Sequence, residues 1–220
     1  MAQFFRELYR FFRWRGKPQS SAQAPSGVEY IVFGIGNVGR RYSRTRHNIG
    51  FRVVDRCLSH SRELTKDLTA AAGAYVVAGE FSGKKVAFVK PTTFVNQCGA
   101  AFQSGATAFG LPLGSCLVVV DDYNLPLGAM RFRAGGSDGG HNGLKSIIEA
   151  VGRDFPRLRI GIGPLPPGTN PVDFVLGSFS SEEETVLARV MDRAVDGIAS
   201  ALNNGIEKAM SVYNRPQAEK

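Results

Sequence analysis

Histidine is scarce in this chain: there are three, His47, His60 and His141, in 220 residues. None shows a ligand spacing such as H-E-x-x-H, and Cys57, Cys98 and Cys116 form no C-x-x-C, so the pattern gives a metal site little support. Cysteines that are odd in number, far apart and set among apolar residues do not make a disulfide framework. They read as reduced core thiols and favour a cytosolic or matrix-like compartment. Long apolar runs are missing too. None approaches the roughly 18 residues of a bilayer-spanning helix, so no transmembrane segment is expected. No internal repeat is visible. Acids are in the minority, with Lys+Arg 27 against Asp+Glu 19, a net charge of +8 and a pI near 9.7. That excess points to an anionic partner, nucleic acid or a membrane surface.

What is present is a globular composition, 43% hydrophobic and 21% charged, on a chain long enough to bury a real core. Residues 1–17, MAQFFRELYRFFRWRGK, stand apart. Phe4, Phe5, Leu8, Phe11 and Phe12 form a stripe at helical spacing, and Arg6, Arg10 and Arg13 line the other side. Five basic residues against Glu7 supply +4 of the net +8. Residues 18–27 follow as a polar Pro/Ser/Ala linker. A transit peptide, an interfacial or partner-docking helix and a basic arm that touches RNA all compete for this tail. Its dense aromatics and its lack of serine before the linker weigh towards docking, on a ribosome, a protein or a membrane surface. Used as a targeting segment, residues 1–27 would send a chain otherwise expected in the cytoplasm to the mitochondrial matrix or another organelle.

From 28 to 213 strand and helix patterns alternate, with residues 214–220 left as a short C-terminal tail. VEYIVFGIG reads as a buried strand and IGFRVVDRCLSHS as a helix with Phe51, Val54 and Leu58 inward. AYVVAGEF and KKVAFVKP are strands around a Ser-Gly turn, and a helix ending at Gly110 leads to the strand SCLVVVDD, with acids at its carboxyl end. AMRFRAGG is a strand, GLKSIIEAVG a helix and PRLRIGIG a strand. Ser181 and Glu184 open the last long helix as a capping box. The alternation predicts a single α/β domain whose mixed, mostly parallel central sheet is covered by helices on both faces. Ligands of such sheets sit beyond the carboxyl ends of strands, where Asn37, Asp121 and the loop GGSDGGHNG fall.

Two motifs tempt and then fail. Gly34, Gly36 and Gly39 spell the dinucleotide fingerprint G-x-G-x-x-G, with Asp55 about 20 residues on. A nucleotide-binding helix should begin at those glycines, yet RRYSRTRHN has no apolar face until Phe51, and Asp55 lies within a helix. The glycines fit better as a sharp turn that brings backbone and Asn37 close to a substrate. Residues 135–139, GGSDG, fit G-x-S-x-G, but His141 is the only later histidine and lies too close to Ser137 to swing back as a triad base. The loop reads instead as exposed backbone able to lie along phosphates or act as a gate. His60, near a helix end, reads as a surface residue. His47 and His141 differ, each preceding Asn in an Arg-rich or Gly-rich loop.

The blocks VFGIGNVGRRYSRTRHNIGF, KPTTFVNQCG, LVVVDDYNLPLG, GGSDGGHNGLKSII and PRLRIGIG together resemble bacterial-type peptidyl-tRNA hydrolases, in the family's order and near its spacing. The resemblance implies a carboxylic ester hydrolase that releases the peptide from the 3′ ribose of tRNA dropped by ribosomes, acting as a monomer without metal or organic cofactor. It implies His47 as the general base that activates water, Asp121 as the carboxylate that orients it, Asn96 as a residue that holds substrate at the ester, and Asn37 as the sensor of the blocked amino end. Tyr42 and Phe94 would meet the tRNA 3′ end, Asn142 would bind substrate, and Arg133 and Arg159 would face tRNA phosphates. Arg40, Arg41, Arg44 and Arg46 would form a basic rim or a solvated face.

The chemistry is coherent on its own terms. A neutral imidazole can take a proton from water near pH 7, a carboxylate on its other nitrogen fixes the tautomer, and amides offer neutral donors to an oxyanion. An amide also pairs with an acylated amino end but not with a free ammonium. The chain departs from the family pattern at Val38, for proline, and at Val95, for methionine. Asp122-Tyr123-Asn124 replaces E-L-D, and Asp138, for histidine, sets a negative charge near the expected RNA path. The fold also serves plant organelle RNA-splicing factors, so a non-catalytic RNA or ribonucleoprotein binding module is the second reading. A nucleotide-dependent oxidoreductase is the third.

Overall fold

The strand Tyr30–Gly34 (β1) is apolar on both faces, and both faces are covered: Ile31 and Phe33 point into one core layer, Val32 into the other. A strand of that kind belongs in the middle of a parallel sheet. In the computed structural model, which describes residues 26–65 and 73–215, the sheet order is β2-β3-β1-β4-β6-β5. The tail segment 1–17, most of the linker 18–27 and residues 216–220 lie outside the described residues. The remaining strands are β2 (Ala74–Phe81), β3 (Lys84–Pro91), β4 (Cys116–Pro126), β5 (Met130–Arg133) and β6 (Arg157–Gly163). β1 pairs in parallel with β3 and β4, and β4 with β6, while β2 and β5 close the two edges antiparallel. The expected mixed, mostly parallel sheet is therefore present.

The helices are α1 (Ile49–Ser59), α2 (Gly99–Phe109), α3 (Asn142–Val151), α4 (Pro171–Leu176), α5 (Ser181–Asn204) and α6 (Ile206–Tyr213). α1, α5 and α6 cover one face, where Val53, Val54, Phe132, Leu187 and Ile198 pack with Val32 and Val119. α2 and α3 cover the other, with Phe102, Leu144 and Ile147 against Phe33 and Val118. Where α1 crosses β1 the approach is too close for a side chain. A Cβ at Gly50 would lie 2.5 Å from the carbonyl oxygens of Ile35 and Val119. α2 and α3 touch in the same way, Gly99 facing the backbone of Ser146, whose hydroxyl accepts the Gly99 N–H. These two contacts fix the helix starts that carry the site.

Several local expectations need correction. Phe51 is half-buried; its ring lies beneath Gly36 and near Lys90, while Val53 and Cys57 take the inward positions beside Val54 and Leu58. β4 runs past its acids to Pro126, with an irregularity after Asp122 where pairing to β6 shifts. The capping box uses Ser180 and Glu183, one residue earlier than the sequence pattern suggested. α4 and α6 are short and carried no clear periodicity. At the β5 edge Phe132 N–H donates to Asn214 Oδ1 at 2.6 Å, and Asn214 Nδ2 donates to the Phe132 carbonyl at 3.1 Å.

Candidate active site

β4 is longer than its neighbour. The last pair between them is Gly34 with Val119, so Asp121 stands where β4 outruns β1 and a notch opens beyond the sheet. Asp121 is buried, with 1% of its surface exposed, and a lone carboxylate there would be costly. It is not alone. His47, on the 3-10 turn Arg46–Asn48 before α1, places Nδ1 2.9 Å from Oδ1 and 3.0 Å from Oδ2. His141, the N-cap of α3, places Nε2 3.0 Å from Oδ1. One histidine arrives from each helical layer, and their ring centroids are 5.0 Å apart.

Hydrogen bonding settles which nitrogens carry protons. His141 Nδ1 accepts from the Gly143 and Leu144 N–H groups at 3.1 and 3.3 Å, which leaves its proton on Nε2, donated to Asp121. His47 donates from Nδ1 to the same carboxylate, so its Nε2 keeps the lone pair. Burial alone would raise the Asp121 pKa, but the charges and hydrogen bonds of His47 and His141 outweigh it and hold the carboxyl well below the usual range. Burial likewise works against a charged His47. The Asp121 charge and hydrogen bond prevail and raise its pKa above the ordinary value.

Asn37 follows β1 and is locked on three sides. Its N–H donates to Asn48 Oδ1 at 2.8 Å, its carbonyl accepts from Asn48 Nδ2 at 2.9 Å, and its Oδ1 accepts from Val95 N–H at 3.1 Å. With the oxygen engaged, Nδ2 is the group Asn37 can offer. Asn48, next to His47, thus ties the turn of the base to Asn37, and Asn37 ties both to the turn that carries Asn96. Asn96 and Asn142 are exposed, on the 3-10 turn Val95–Gln97 and the first turn of α3. The Gly99–Ser146 contact holds those turns together. Val95, the departure from methionine, is buried against Gly143 and supplies the N–H for Asn37.

The aromatic and cationic candidates lie around this centre. Phe94 is 52% exposed, which removes it from the core, and Tyr42 is half-buried beneath the Arg41 guanidinium at 4.6 Å. On β5 and β6, Arg131 pairs across from Arg159 and Arg133 from Arg157, so four cations share one face of the sheet. Facing like charges cost stability. Two of them are engaged locally. Arg159 Nε lies 3.0 Å from Asp122 Oδ2, a charge contact whose N–H is not aimed along it. Arg157 is buried and donates to the carbonyls of Gly136, Ser137, Arg153 and Phe155. Burial, with Arg159 beside it, brings its pKa down to about 10, still charged at neutral pH. Arg131 and Arg133 are the exposed pair. Asp138 is turned to structure: Oδ1 accepts the Gly140 N–H at 2.8 Å and its carbonyl accepts the His141 N–H at 3.1 Å.

His47, Asp121 and His141 bring ligand-type atoms within 4.8 Å of one another, the one such group among the described residues. Those atoms are already hydrogen-bonded to each other, and the His141 nitrogen that would face an ion carries a proton. The trio therefore fits a carboxylate that orients two histidines better than a metal cage. Sequence reasoning sets His141 apart from His60 but gives it no role at the site, and it misses Asn48 and Arg131. The helix read at GLKSIIEAVG and the alternation of Arg131 with Arg133 in AMRFRAGG are visible, but neither pattern reveals a partner on another strand.

The family model for peptidyl-tRNA hydrolase matches residues 31–220. The chain is 44% identical over 185 residues to a protein named peptidyl-tRNA hydrolase from Fervidobacterium nodosum, covering 84% of this chain and 95% of that one. It is 43% identical over 192 residues to another so named from Chlorobaculum parvum, covering 86% and 99%. Among solved structures, peptidyl-tRNA hydrolase from Acinetobacter baumannii superposes with a TM-score of 0.79 at 28% identity, over 89% of this chain and 99% of that one. Likeness of this extent, in sequence and in fold together, means that the chain belongs to the peptidyl-tRNA hydrolase family.

Proposed function

We propose that this protein hydrolyses the ester between a peptide, or another N-blocked aminoacyl group, and the 3′ ribose of tRNA. His47 Nε2 takes a proton from water as the water oxygen bonds to the ester carbonyl carbon. The imidazolium that forms is stabilised by Asp121, which holds Nδ1–H and fixes the ring. The tetrahedral oxyanion meets amide donors from Asn37 Nδ2, Asn96 and Asn142. When it collapses, the ribose oxygen leaves with the proton from His47, giving a tRNA 3′ hydroxyl and a carboxylic acid that ionises to carboxylate by losing its proton to solvent. Asn37 would also sense the acylated amino end. Phe94 and Tyr42 offer faces for the terminal bases, and Arg131 and Arg133 offer charge to phosphates, with Arg159 contributing if it leaves Asp122.

The observation that carries this reading is the bond of His47 Nδ1 to a buried carboxylate, which leaves Nε2 as a base. The test is hydrolysis of N-acetyl-aminoacyl-tRNA by the full chain, with unblocked aminoacyl-tRNA as control. Turnover of the blocked substrate alone, reduced by about 10²–10⁴-fold in His47→Ala, is expected. Tight RNA binding with no turnover would replace the hydrolase by a binding module.

A further inference from the structure

We infer that Arg46 is a positioning residue for His47, held by Glu183 at the start of α5, and not a contact for tRNA phosphate; the inference rests on the reading of His47 as base. Sequence alone places Arg46 in a basic rim with Arg40, Arg41 and Arg44, which are exposed. Its side chain, 12% exposed, does something else. Nη2 donates to both Glu183 oxygens at 2.8 and 2.7 Å, and Nη1 donates to the Ser178 carbonyl. The guanidinium lies over the rings of Phe174 and Phe179, 4.8 and 4.9 Å from their centroids. With acceptors on both terminal nitrogens, two aromatic rings against the guanidinium and Nε buried, little room is left for a phosphate.

The backbone follows the side chain. Arg46 N–H donates to Gly177 O at 2.9 Å, and Thr45 forms a bridge with Ser178. Glu183 Oε2 also accepts the Ser180 N–H at 2.7 Å, as part of the cap that starts a 24-residue helix. The turn bearing His47 is thus tied to the capped start of α5. His47 follows Arg46 directly, and Asn48, which braces Asn37, follows His47. A shift of Arg46 would move the ring off Asp121 and the brace off Asn37 together, and misplacement by about 1 Å can cost on the order of 10²-fold in rate.

The test uses the full chain with Arg46→Lys, Glu183→Gln and the double variant. Lysine keeps the charge but loses the fork and the stacking, and glutamine keeps the cap. For N-acetyl-aminoacyl-tRNA, kcat should fall about 10- to 100-fold in either single variant with KM nearly unchanged, and the double variant should be no worse. Asp121 and His141 are the ionisable groups set against the His47 ring. Losing the first lowers the His47 pKa, so the acid limb of the rate profile should move to lower pH. A raised KM with intact kcat and a shallower salt dependence would overturn the inference in favour of a phosphate contact. So would a lower melting temperature with kcat and acid limb unchanged. Wild-type protein without turnover would sink the hydrolase reading instead. Imidazole NMR titration then decides, with a downward His47 shift in Arg46→Lys supporting positioning and an unmoved titration refuting it.

Discussion

Two loops deliver a histidine to one carboxylate by opposite means. Residues 40–48 are crowded with long side chains, and the loop holds itself: Arg46 reaches out of it to Glu183 and Ser178. Residues 134–141 carry few side chains of any size, and beyond the turn that Asp138 closes, that loop is held from outside, by the buried Arg157 collecting the carbonyls of Gly136 and Ser137. A loop rich in side chains can supply its own anchor, while a glycine-rich loop must borrow one. In both cases the anchor is a guanidinium, whose planar array of donors holds several acceptors at once where an ammonium could not.

The hardest way to break the comparison is to remove the point where the loops meet. Asp121→Asn should lower kcat on the order of 10³–10⁴-fold while leaving RNA binding largely intact. A base acts when neutral, so activity is retained above its pKa and lost as pH falls through it. Asp121 raises that pKa, hence the residual activity of Asp121→Asn should persist to lower pH than in the wild type. A rate profile with an unmoved acid limb would mean that another group titrates. Arg157→Met should come next, through stability: four carbonyls lose their donor in a buried site, at about 2–4 kcal/mol, read by urea unfolding. The corresponding Arg46→Lys should cost less, since Glu183 and Ser178 sit nearer to solvent.

The smallest effect sharpens the contrast between the two rings. His141 gives a hydrogen bond to Asp121 and so draws on the charge that His47 would otherwise have to itself. His141→Ala should reduce kcat about 10-fold, and its acid limb should move to higher pH, opposite to Asp121→Asn. An unmoved limb would show that His141 acts only as the cap of α3.

The parallel core was legible because strands buried on both faces must be apolar throughout, as in YIVFG and LVVV. The placement of β6 between β4 and β5 was not, since nothing local to a strand records its neighbour. Within the site, His47 and Asp121 are 74 residues apart, and their union was expected from resemblance, not from spacing. His141 stands out beside His47 as a loop histidine before Asn, yet only the role of base for Ser137, four residues away, can be tested on the sequence, and it fails; its partner lies on β4, which chain distance hides. Arg46 could not be told from Arg44 because a loop has no period. The cap of α5 was misplaced by one because Ser180 and Ser181 each precede a glutamate by three. The fold uses the first pair, and Glu184 turns to Arg52 instead.

The amide of Asn214 has a consequence beyond local order. An edge strand with an open row of donors and acceptors is a seat for a strand from a second copy, and such additions can repeat into polymer. Here the seat beside Phe132 is taken by a side chain that mimics one residue of a strand and cannot propagate. With Arg131 and Arg133 repelling their own kind along the same edge, the last turn of the described chain acts as a stopper.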